Sequence, residues 1–245
     1  KGEIRVSSVF FSKIFEREGK RIGYVVFNQF IAPSLDELKA VAERFSAQAV
    51  DDMILDLRYN GGGRVDVAVF LASMLLGAEV KDKRFLLSRH HKDFASWNQD
   101  ISFQEDVPHR LDLKRLTVIT SGATASASEV LINGLRSYIP VTVVGKSTHG
   151  KPVGMYIYAF FSKILAPVSF QLVNDNGQGD FFDGIPADRV SFDDVRYRFG
   201  DVRESAFKEA MRVVLDKPMA QALRVQRRAN QRLPQQGVHP WIGAW

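Results

Sequence analysis

The sequence predicts an α/β fold, because apolar strands alternate along it with turns and helical patterns. One strand, at Met53–Leu57, runs through three glycines into a helix over Val65–Leu76. Another, at Leu116–Thr120, runs through small residues into a helix over about 127–135. Alternating strands and helices are typical of a sheet that helices cover. At 245 residues, the chain fits one large α/β domain or two small ones.

The N-terminal third fits the same class, with two strands followed by a helix. Residues 3–11 and 22–30 are rich in β-branched and aromatic residues, and Gly19 suits the turn between them. Ser34, with Glu37 three positions later, predicts a capping box at the start of the helix. The buried face of this helix is predicted from apolar residues at helical spacing: Leu38, Val41, Ala42 and Phe45.

Composition excludes several classes of function. The chain has no cysteine, which rules out disulfides, thiolate catalysis and cysteine-ligated metal. No apolar run approaches 18 residues, so we expect no transmembrane segment. The dense basic cluster is Arg224, Arg227, Arg228 and Arg232, and no aromatic residues interleave it. We interpret it as a solvated tail helix and expect no nucleic-acid partner.

The histidines and the glycine turn give weaker signals. We expect 84–110 to be irregular and its histidines, His90, His91 and His109, to lie on the surface. No metal-ligand spacing is present, so neither a metal nor a cofactor is predicted. Gly61–Gly63 follow a strand as in phosphate-binding loops, but the Gly-Lys-Ser/Thr of a P-loop is missing. A structural tight turn is the alternative.

The stretch from Thr120 to Lys151 carries the chemistry-bearing residues. Ser126 lies where a strand gives way to a helix, and Lys151 follows a second strand, Val141–Gly145. The N–H groups at a helix start can hold a developing oxyanion, and Ser-Lys pairs are a known activated nucleophile. From the residues alone, the alternative stays open that these small residues only allow close helix–strand packing.

Three motifs in order carry a resemblance to a known family: DLRYNGGG at 56–63, TASASE at 124–129 and GK at 150–151. Together they resemble the C-terminal processing peptidases, the tail-specific Ser-Lys endopeptidases, over residues 24–188. The resemblance implies a crotonase- or ClpP-like core of ββα units around a mixed sheet. It also implies a protein or peptide substrate that is cleaved in an unstructured or C-terminal segment through an acyl-enzyme.

The resemblance assigns a role to each matching position. Ser126 is implied to be the nucleophile and Lys151 the general base. The oxyanion hole is implied to be the backbone N–H of Ala127 with that of Gly62. Other glycines are candidate substrate-binding positions: Gly61, Gly63 and Gly150.

Two neighbouring residues compete for these roles. Ser128 lies two helical positions after Ser126 and therefore points elsewhere, because a helix turns roughly 100° per residue. Lys146 is a second candidate base, although Lys151 fits the family position.

The sequence departs from the family pattern near the lysine. Some members carry an aspartate at the position of Ser137, and others a glutamine at the position of Met155. No third catalytic group is therefore implied, and Pro152 stands where glycine is frequent. These departures support an alternative, a catalytically inactive relative that binds peptides or ligands. Acyl-group chemistry on a small ester or thioester is a third option, since the resemblance in fold extends to the crotonases.

The resemblance also predicts the organisation of the chain. Residues 1–23 are expected to be an N-terminal strand region, a candidate remnant of a linker to a PDZ or N-terminal domain. Residues 24–215 would be the peptidase core and 216–245 a C-terminal tail. We expect no PDZ domain within this chain, and an oligomer is compatible with the sequence. For a bacterial member, the family implies a periplasmic or cell-envelope location.

Overall fold

A six-stranded sheet with helices on both faces forms the centre of the structure, a computed structural model that describes residues 7–220. The helices are α1 (Ser34–Ala47), α2 (Val65–Leu75), α3 (Ala127–Leu135) and α4 (Ser205–Val214). The strands are β1 (Val9–Arg17), β2 (Lys20–Phe27), β3 (Asp52–Asp56), β4 (Arg84–Arg89), β5 (Gln99–Ser102), β6 (Leu116–Thr120), β7 (Val141–Gly145), β8 (Val153–Met155), β9 (Tyr158–Phe160), β10 (Lys163–Leu165), β11 (Val168–Asn174) and β12 (Arg189–Val190).

The central sheet is mixed, as the α/β prediction requires. Its order is β1-β2-β3-β6-β7-β12. β1 and β2 form an antiparallel hairpin, and every other pair is parallel. β3 and β6 are buried along their whole length, which explains why both appear in the sequence as continuous apolar runs.

Helices cover the two faces of this sheet unequally. Side chains alternate along each strand, so Val25 and Leu55 point to the face covered by α1, α2 and α3. Tyr24 and Ile54, one residue away in each strand, point to the face covered by α4. The predicted buried face of α1 is confirmed, because its four apolar positions are all buried.

A second, antiparallel sheet has the order β5-β4-β11-β8, and β9 pairs with β10 in a separate hairpin. The prediction that 84–110 is irregular is therefore wrong in part. β4 and β5 lie in this range, and a short 3₁₀ helix over Lys92–Trp97 joins them. Phe85 and Leu86 are fully buried, because β4 is an inner strand between β5 and β11.

The capping box predicted at Ser34 and Glu37 is also wrong. Ser34 is the first residue of α1, and its hydroxyl donates to the carbonyl of Gln29. The Glu37 carboxylate instead accepts hydrogen bonds from the backbone N–H groups of Ser8 and Val9. This glutamate therefore ties α1 to the start of β1, a long-range contact that a local pattern does not encode.

Three adjacent parallel strands bring the sequence motifs to one edge of the sheet. The segments 57–63, 121–126 and 146–151 follow the carboxyl ends of β3, β6 and β7, respectively. In open α/β sheets, ligands bind at this edge. Within residues 7–220, no helix has both the length and the apolar character needed to cross a bilayer. The basic cluster predicted at Arg224–Arg232 lies outside the described residues.

The packing of α4 generates a prediction. Phe207 is fully buried, and its ring centre lies 4.5 Å from that of Tyr24 and 5.2 Å from that of Phe15. We expect Phe207→Ala to lower the free energy of unfolding by about 3–5 kcal/mol, measured by urea denaturation. Val195→Ala, at a side chain that is 82% exposed, should change it by less than about 0.5 kcal/mol. Equal effects would contradict the assigned packing.

Candidate functional site

Ser126 lies at the turn between β6 and α3, where the chain leaves the sheet and enters a buried helix. Its backbone has φ 55° and ψ −119°, which residues with a side chain rarely adopt. Strained backbones of this kind cluster at functional sites. The residue is half-buried, and the first N–H groups of α3 lack intrahelical partners. The turn therefore presents a hydroxyl beside backbone donors.

The carboxylate of Glu129 joins this turn to the segment that carries the lysine. Glu129 is fully buried, and its Oε2 accepts the backbone N–H groups of Ser126 and Lys151, each at 2.8 Å. Its Oε1 accepts the N–H of Gly150 at 2.6 Å and the hydroxyl of Thr148 at 2.5 Å. The backbone nitrogens of Ser126 and Lys151 are thus separated by at most twice 2.8 Å.

The sequence did not predict the contacts of Glu129, which join the two candidate segments. The signal was present, since Ser126-x-x-Glu129 has the spacing of a capping box. In the structure Glu129 provides the glutamate half of that motif, because its carboxylate accepts the N–H of the N-cap residue. Both of its oxygens also reach the segment that follows β7, which spacing alone does not reveal.

The segment around Lys151 is held from two sides. Gly150 has φ 96°, and a Cβ there would lie 2.1 Å from the carbonyl oxygen of Phe182. Thr148 and Ile185 exchange two hydrogen bonds, Thr148 N–H to Ile185 O at 3.1 Å and Ile185 N–H to Thr148 Oγ1 at 2.7 Å. Lys151 itself is half-buried, and within residues 7–220 its Nζ has no carboxylate partner.

Lys146, the first residue after β7, has surroundings that differ from those of Lys151. It lines a cavity of about 250 Å³ together with Ile119 and Ala206, which belong to the apolar cluster under α4. The Lys151 segment, in contrast, is bonded to Glu129 of α3. The assignment of Lys151, and not Lys146, as the partner of Ser126 stays a prediction.

The glycine turn packs directly against Ser126. Gly62 has φ 98°, and a Cβ there would lie 2.8 Å from both the Ala127 nitrogen and Ser126 Cβ. The N–H of Gly62 donates to Asn60 Oδ1 at 2.9 Å. This N–H is therefore engaged within its own turn, and its part in an oxyanion hole, like that of Ala127, stays a prediction.

The other two glycines of the turn have different surroundings. Gly63 pairs with Phe30 in an isolated β-bridge, and a Cβ there would lie 2.2 Å from the Phe30 carbonyl oxygen. Gly61 has open space where a Cβ would stand. The substrate-binding role of Gly61, Gly63 and Gly150 stays a prediction.

Side-chain hydrogen bonds join the glycine turn to the Ser126 turn. Thr124 Oγ1 donates to the carbonyl of Leu57 at 2.8 Å, and Ser128 Oγ donates to the carbonyl of Asn60 at 3.0 Å. Both hydroxyl-bearing residues are fully buried. Ser128 therefore joins the two turns, and its exclusion as the nucleophile stays a prediction.

A buried ion network lies directly before the glycine turn. The Arg58 guanidinium donates to Asp56 Oδ2 at 2.7 Å, to Glu204 Oε2 at 3.0 Å and to Asp193 Oδ1 at 2.8 Å. Burial opposes the charged guanidinium, but the charges and hydrogen bonds of Asp56 and Glu204 outweigh it and raise the pKa of Arg58. Burial and the hydrogen bond to Asp193 raise the pKa of Tyr59 to about 12. The network anchors the end of β3, so the glycine turn starts from a fixed point.

The remaining candidate residues are the three histidines and the two family positions near Lys151. His90 is only 9% exposed, and its Nε2 lies 2.9 Å from the Tyr156 hydroxyl oxygen, so its prediction as a surface residue is wrong. His91 and His109 are exposed. Residues 7–220 contain no group of three side chains that could hold a metal ion. Neither Ser137 nor Met155 supplies a carboxylate or an amide to orient Lys151.

Comparison with known proteins identifies relatives over most of the described chain. Residues 21–190 match the family described as Peptidase family S41. A carboxyl-terminal-processing protease from Picosynechococcus sp. is 29% identical over 141 residues, which are 58% of this chain and 32% of that protein. A probable CtpA-like serine protease from Staphylococcus epidermidis is 26% identical over 146 residues, 60% of this chain and 28% of that protein. The chain thus spans less than a third of the length of these relatives.

Solved structures have the same fold. The crystal structure of a putative S41 protease from Bacteroides fragilis superimposes with a TM-score of 0.81 at 26% identity, covering 88% of this chain and 59% of that one. The photosystem II D1 C-terminal processing protease superimposes with a TM-score of 0.61 at 22% identity, covering 76% of this chain and 49% of that one. The second likeness concerns the fold alone.

The four hydrogen bonds of Glu129 generate a prediction. In Glu129→Gln, one oxygen becomes an amide N–H₂ that faces N–H donors in a fully buried position. We expect the free energy of unfolding to fall by about 1–3 kcal/mol in urea denaturation, because buried donors lose their partners. The matched control is Glu43→Gln on the exposed side of α1, with a change below about 0.5 kcal/mol. If the two variants were equally stable, the Glu129 contacts would not hold the site together.

Proposed function

The chain belongs to peptidase family S41, and from this premise we propose that it is a serine endopeptidase that uses Ser126 and Lys151. The observation that carries the proposal is the Glu129 carboxylate, which bonds the backbone N–H groups of both residues. Hydrolysis by a Ser-Lys pair needs these side chains on adjoining segments, and no carboxylate that would hold the lysine as an ion pair. Ser126 and Lys151 lie on adjoining segments, and within residues 7–220 no carboxylate pairs with Lys151 Nζ, so the geometry agrees with both conditions.

The proposed reaction begins with proton transfer. The neutral amine of Lys151 takes the proton of the Ser126 hydroxyl as Oγ attacks the scissile carbonyl carbon. The tetrahedral oxyanion is stabilised by the N–H of Ala127, at the start of α3, and by the N–H of Gly62. For Gly62 to donate to the oxyanion, its present bond to Asn60 Oδ1 has to open or be shared.

The second half of the reaction returns the site to its starting state. The Lys151 ammonium gives its proton to the leaving amine, and the ester of the acyl-enzyme remains on Ser126. Lys151 then deprotonates a water molecule that attacks this ester, and Ser126 recovers its proton. No third side chain takes part in this scheme, consistent with Ser137 and Met155 at the two family positions.

The substrate class comes from the relatives. Proteins named carboxyl-terminal-processing protease and CtpA-like serine protease match this chain over more than half of its length. We propose accordingly that the substrates are unstructured or C-terminal segments of proteins. Because the chain spans less than a third of these relatives, the activity of the whole protein is part of this proposal.

Two further expectations belong to the same proposal. The arrangement of β1, β2 and α1 agrees with a ββα unit, and we propose that the core is crotonase- or ClpP-like, extending over residues 24–215. A periplasmic or cell-envelope location follows from the family resemblance if the source is bacterial. Residues 216–220 continue from α4, and the rest of the proposed tail lies outside the described residues.

Cleavage of an unfolded protein tests the proposed chemistry. Ser126→Ala and Lys151→Ala should each lower the rate on the order of 10³-fold or more, because each removes one partner of a concerted proton transfer. Lys151→Arg should do the same, since arginine keeps the charge but cannot serve as a base. Circular dichroism should report an intact fold for all three variants.

The controls are Ser46→Ala, at an exposed position of α1, and Lys146→Ala, at the competing lysine. Both should cleave at the wild-type rate. Full activity in Lys151→Ala, or its loss in Lys146→Ala alone, would contradict the assignment of the base. A folded wild-type chain that cleaves no unfolded protein would favour the inactive, ligand-binding alternative.

A further inference from the structure

An apolar hairpin projects from the chain immediately after the Lys151 segment. β9 and β10 pair with Ala159 opposite Ile164 and Tyr158 opposite Leu165, so both faces of this ribbon carry apolar side chains. Its exposed residues are Ile157 (73%), Tyr158 (48%), Phe160 (64%), Phe161 (94%), Ile164 (75%), Leu165 (58%) and Val168 (60%). A cluster of exposed apolar side chains of this kind indicates a binding site, whereas single exposed apolar residues are normal on a protein surface.

The surface is almost free of charge. From Pro152 to Val173 the sequence contains one charged side chain, Lys163. A hairpin that bound an anionic lipid surface would need several basic residues beside the apolar ones. A hairpin that bound a charged polypeptide would need complementary charges. The chemistry here fits an apolar, uncharged partner.

The position of the hairpin ties it to the candidate site. β8 starts two residues after Lys151 and ends two residues before Ile157. A strand of three residues spans roughly 10 Å, so the apolar surface begins about that far from the lysine segment. β8 is also the last strand of its sheet, and within residues 7–220 no strand pairs with its outer edge. An extended polypeptide can add to such an edge through backbone hydrogen bonds.

The base of the hairpin is held by aromatic contacts. The Tyr156 ring stacks on His90 at 5.8 Å between ring centres and contacts Phe170 at 5.1 Å. Its hydroxyl oxygen lies 2.9 Å from His90 Nε2, and its ring lies 6.5 Å from that of Tyr158. The exposed hairpin is therefore anchored on the second sheet by the contacts of Tyr156, and these contacts fix its direction relative to β8.

We propose that the free edge of β8 and the hairpin over residues 157–168 form one docking surface for an extended, apolar segment of the substrate polypeptide. The segment lies on one side of the scissile bond and pairs with β8, and its apolar side chains pack on the hairpin. A second copy of the chain that paired with β8 would instead cover the segment carrying Lys151. The inference rests on the proposed peptidase function, whose site it extends.

Peptide binding to the Ser126→Ala variant tests the docking surface without catalysis. Two fluorescent peptides share a central sequence and differ in their flanks, one rich in Leu, Val and Phe, the other in Ser, Gly and Gln. By fluorescence anisotropy, we expect the apolar peptide to bind at least about 10-fold more tightly, given the free energy of burying apolar side chains. Equal affinities for the two peptides would overturn the proposal.

A hairpin variant locates the binding. Adding Phe160→Ser and Ile164→Ser to Ser126→Ala should weaken binding of the apolar peptide about 10-fold and leave the polar peptide unchanged. Val202→Ser, at an exposed apolar residue of a turn before α4, is the matched control and should change neither affinity. Thermal melting should show the same midpoint for all variants, because both hairpin residues are exposed. Unchanged affinity in the double hairpin variant would overturn the proposal.

Cleavage kinetics on the wild-type background separate this inference from the proposed function. The double hairpin variant should raise KM for the apolar peptide with kcat nearly unchanged, the pattern of lost ground-state binding. If the wild type cleaves neither peptide but Ser126→Ala still prefers the apolar one, the peptidase proposal fails and the docking surface stands. If the wild type cleaves both peptides equally well and the double hairpin variant cleaves them at the same rate, the docking surface is contradicted while the peptidase proposal stands.

Two other occupants have their own signatures. Sedimentation would detect a dimer that the double hairpin variant dissolves with no change in peptide affinity. Flotation with phosphatidylcholine vesicles would detect lipid binding that the same variant abolishes, again with peptide affinity unchanged. Either result would overturn the proposal, because the hairpin would then serve that partner and not the substrate.

Discussion

The arrangement of this site depends on a single buried carboxylate. Glu129 lies in the first turn of α3, is inaccessible to solvent and accepts four hydrogen bonds. A buried carboxylate is costly unless donors surround it, so the Ser126 turn and the 148–151 segment must both be in place for Glu129 to be satisfied. Through these hydrogen bonds, the Glu129 carboxylate keeps Ser126 and Lys151, the two catalytic candidates, on neighbouring segments.

The rest of the fold provides the frame for that contact. Three parallel strands, β3, β6 and β7, end side by side, and each is followed by one segment of the site. The Arg58 network holds the end of β3, and buried hydroxyls such as Thr124 Oγ1 join neighbouring segments. Gly62 then approaches Ser126 more closely than any residue with a Cβ could. Close packing thus explains two of the three glycines, Gly62 against the Ser126 turn and Gly63 against Phe30.

Much of the fold was predictable because its strands and helices carry strong local patterns. β6, α3 and β7 have the predicted bounds, since apolar runs and small-residue turns mark their ends. The second sheet was harder to predict. Apolar and polar residues alternate poorly along β4, because both of its faces are covered in part. In addition, β4 pairs with β11, which is about 80 residues away in the sequence.

The same division between local and distant contacts holds for the site. Ser126 and Lys151 were predictable from motif and spacing, and each follows a strand end as expected. The roles of Glu37, Glu129 and His90 were not, because each depends on a partner that the chain brings in from elsewhere. Glu37 bonds the start of β1, Glu129 bonds the 148–151 segment, and His90 bonds Tyr156. Local spacing identifies the residue types, while tertiary contacts decide what they do.

We propose that Ser126 is a nucleophile activated by Lys151. This proposal is tested most directly by reaction with a fluorophosphonate, followed by mass spectrometry of the modified peptides. We expect a single adduct on Ser126, and we expect the rate of its formation to fall on the order of 10²-fold or more in Lys151→Arg, because the general base is lost. An adduct on another serine, or an unchanged rate in Lys151→Arg, would contradict it.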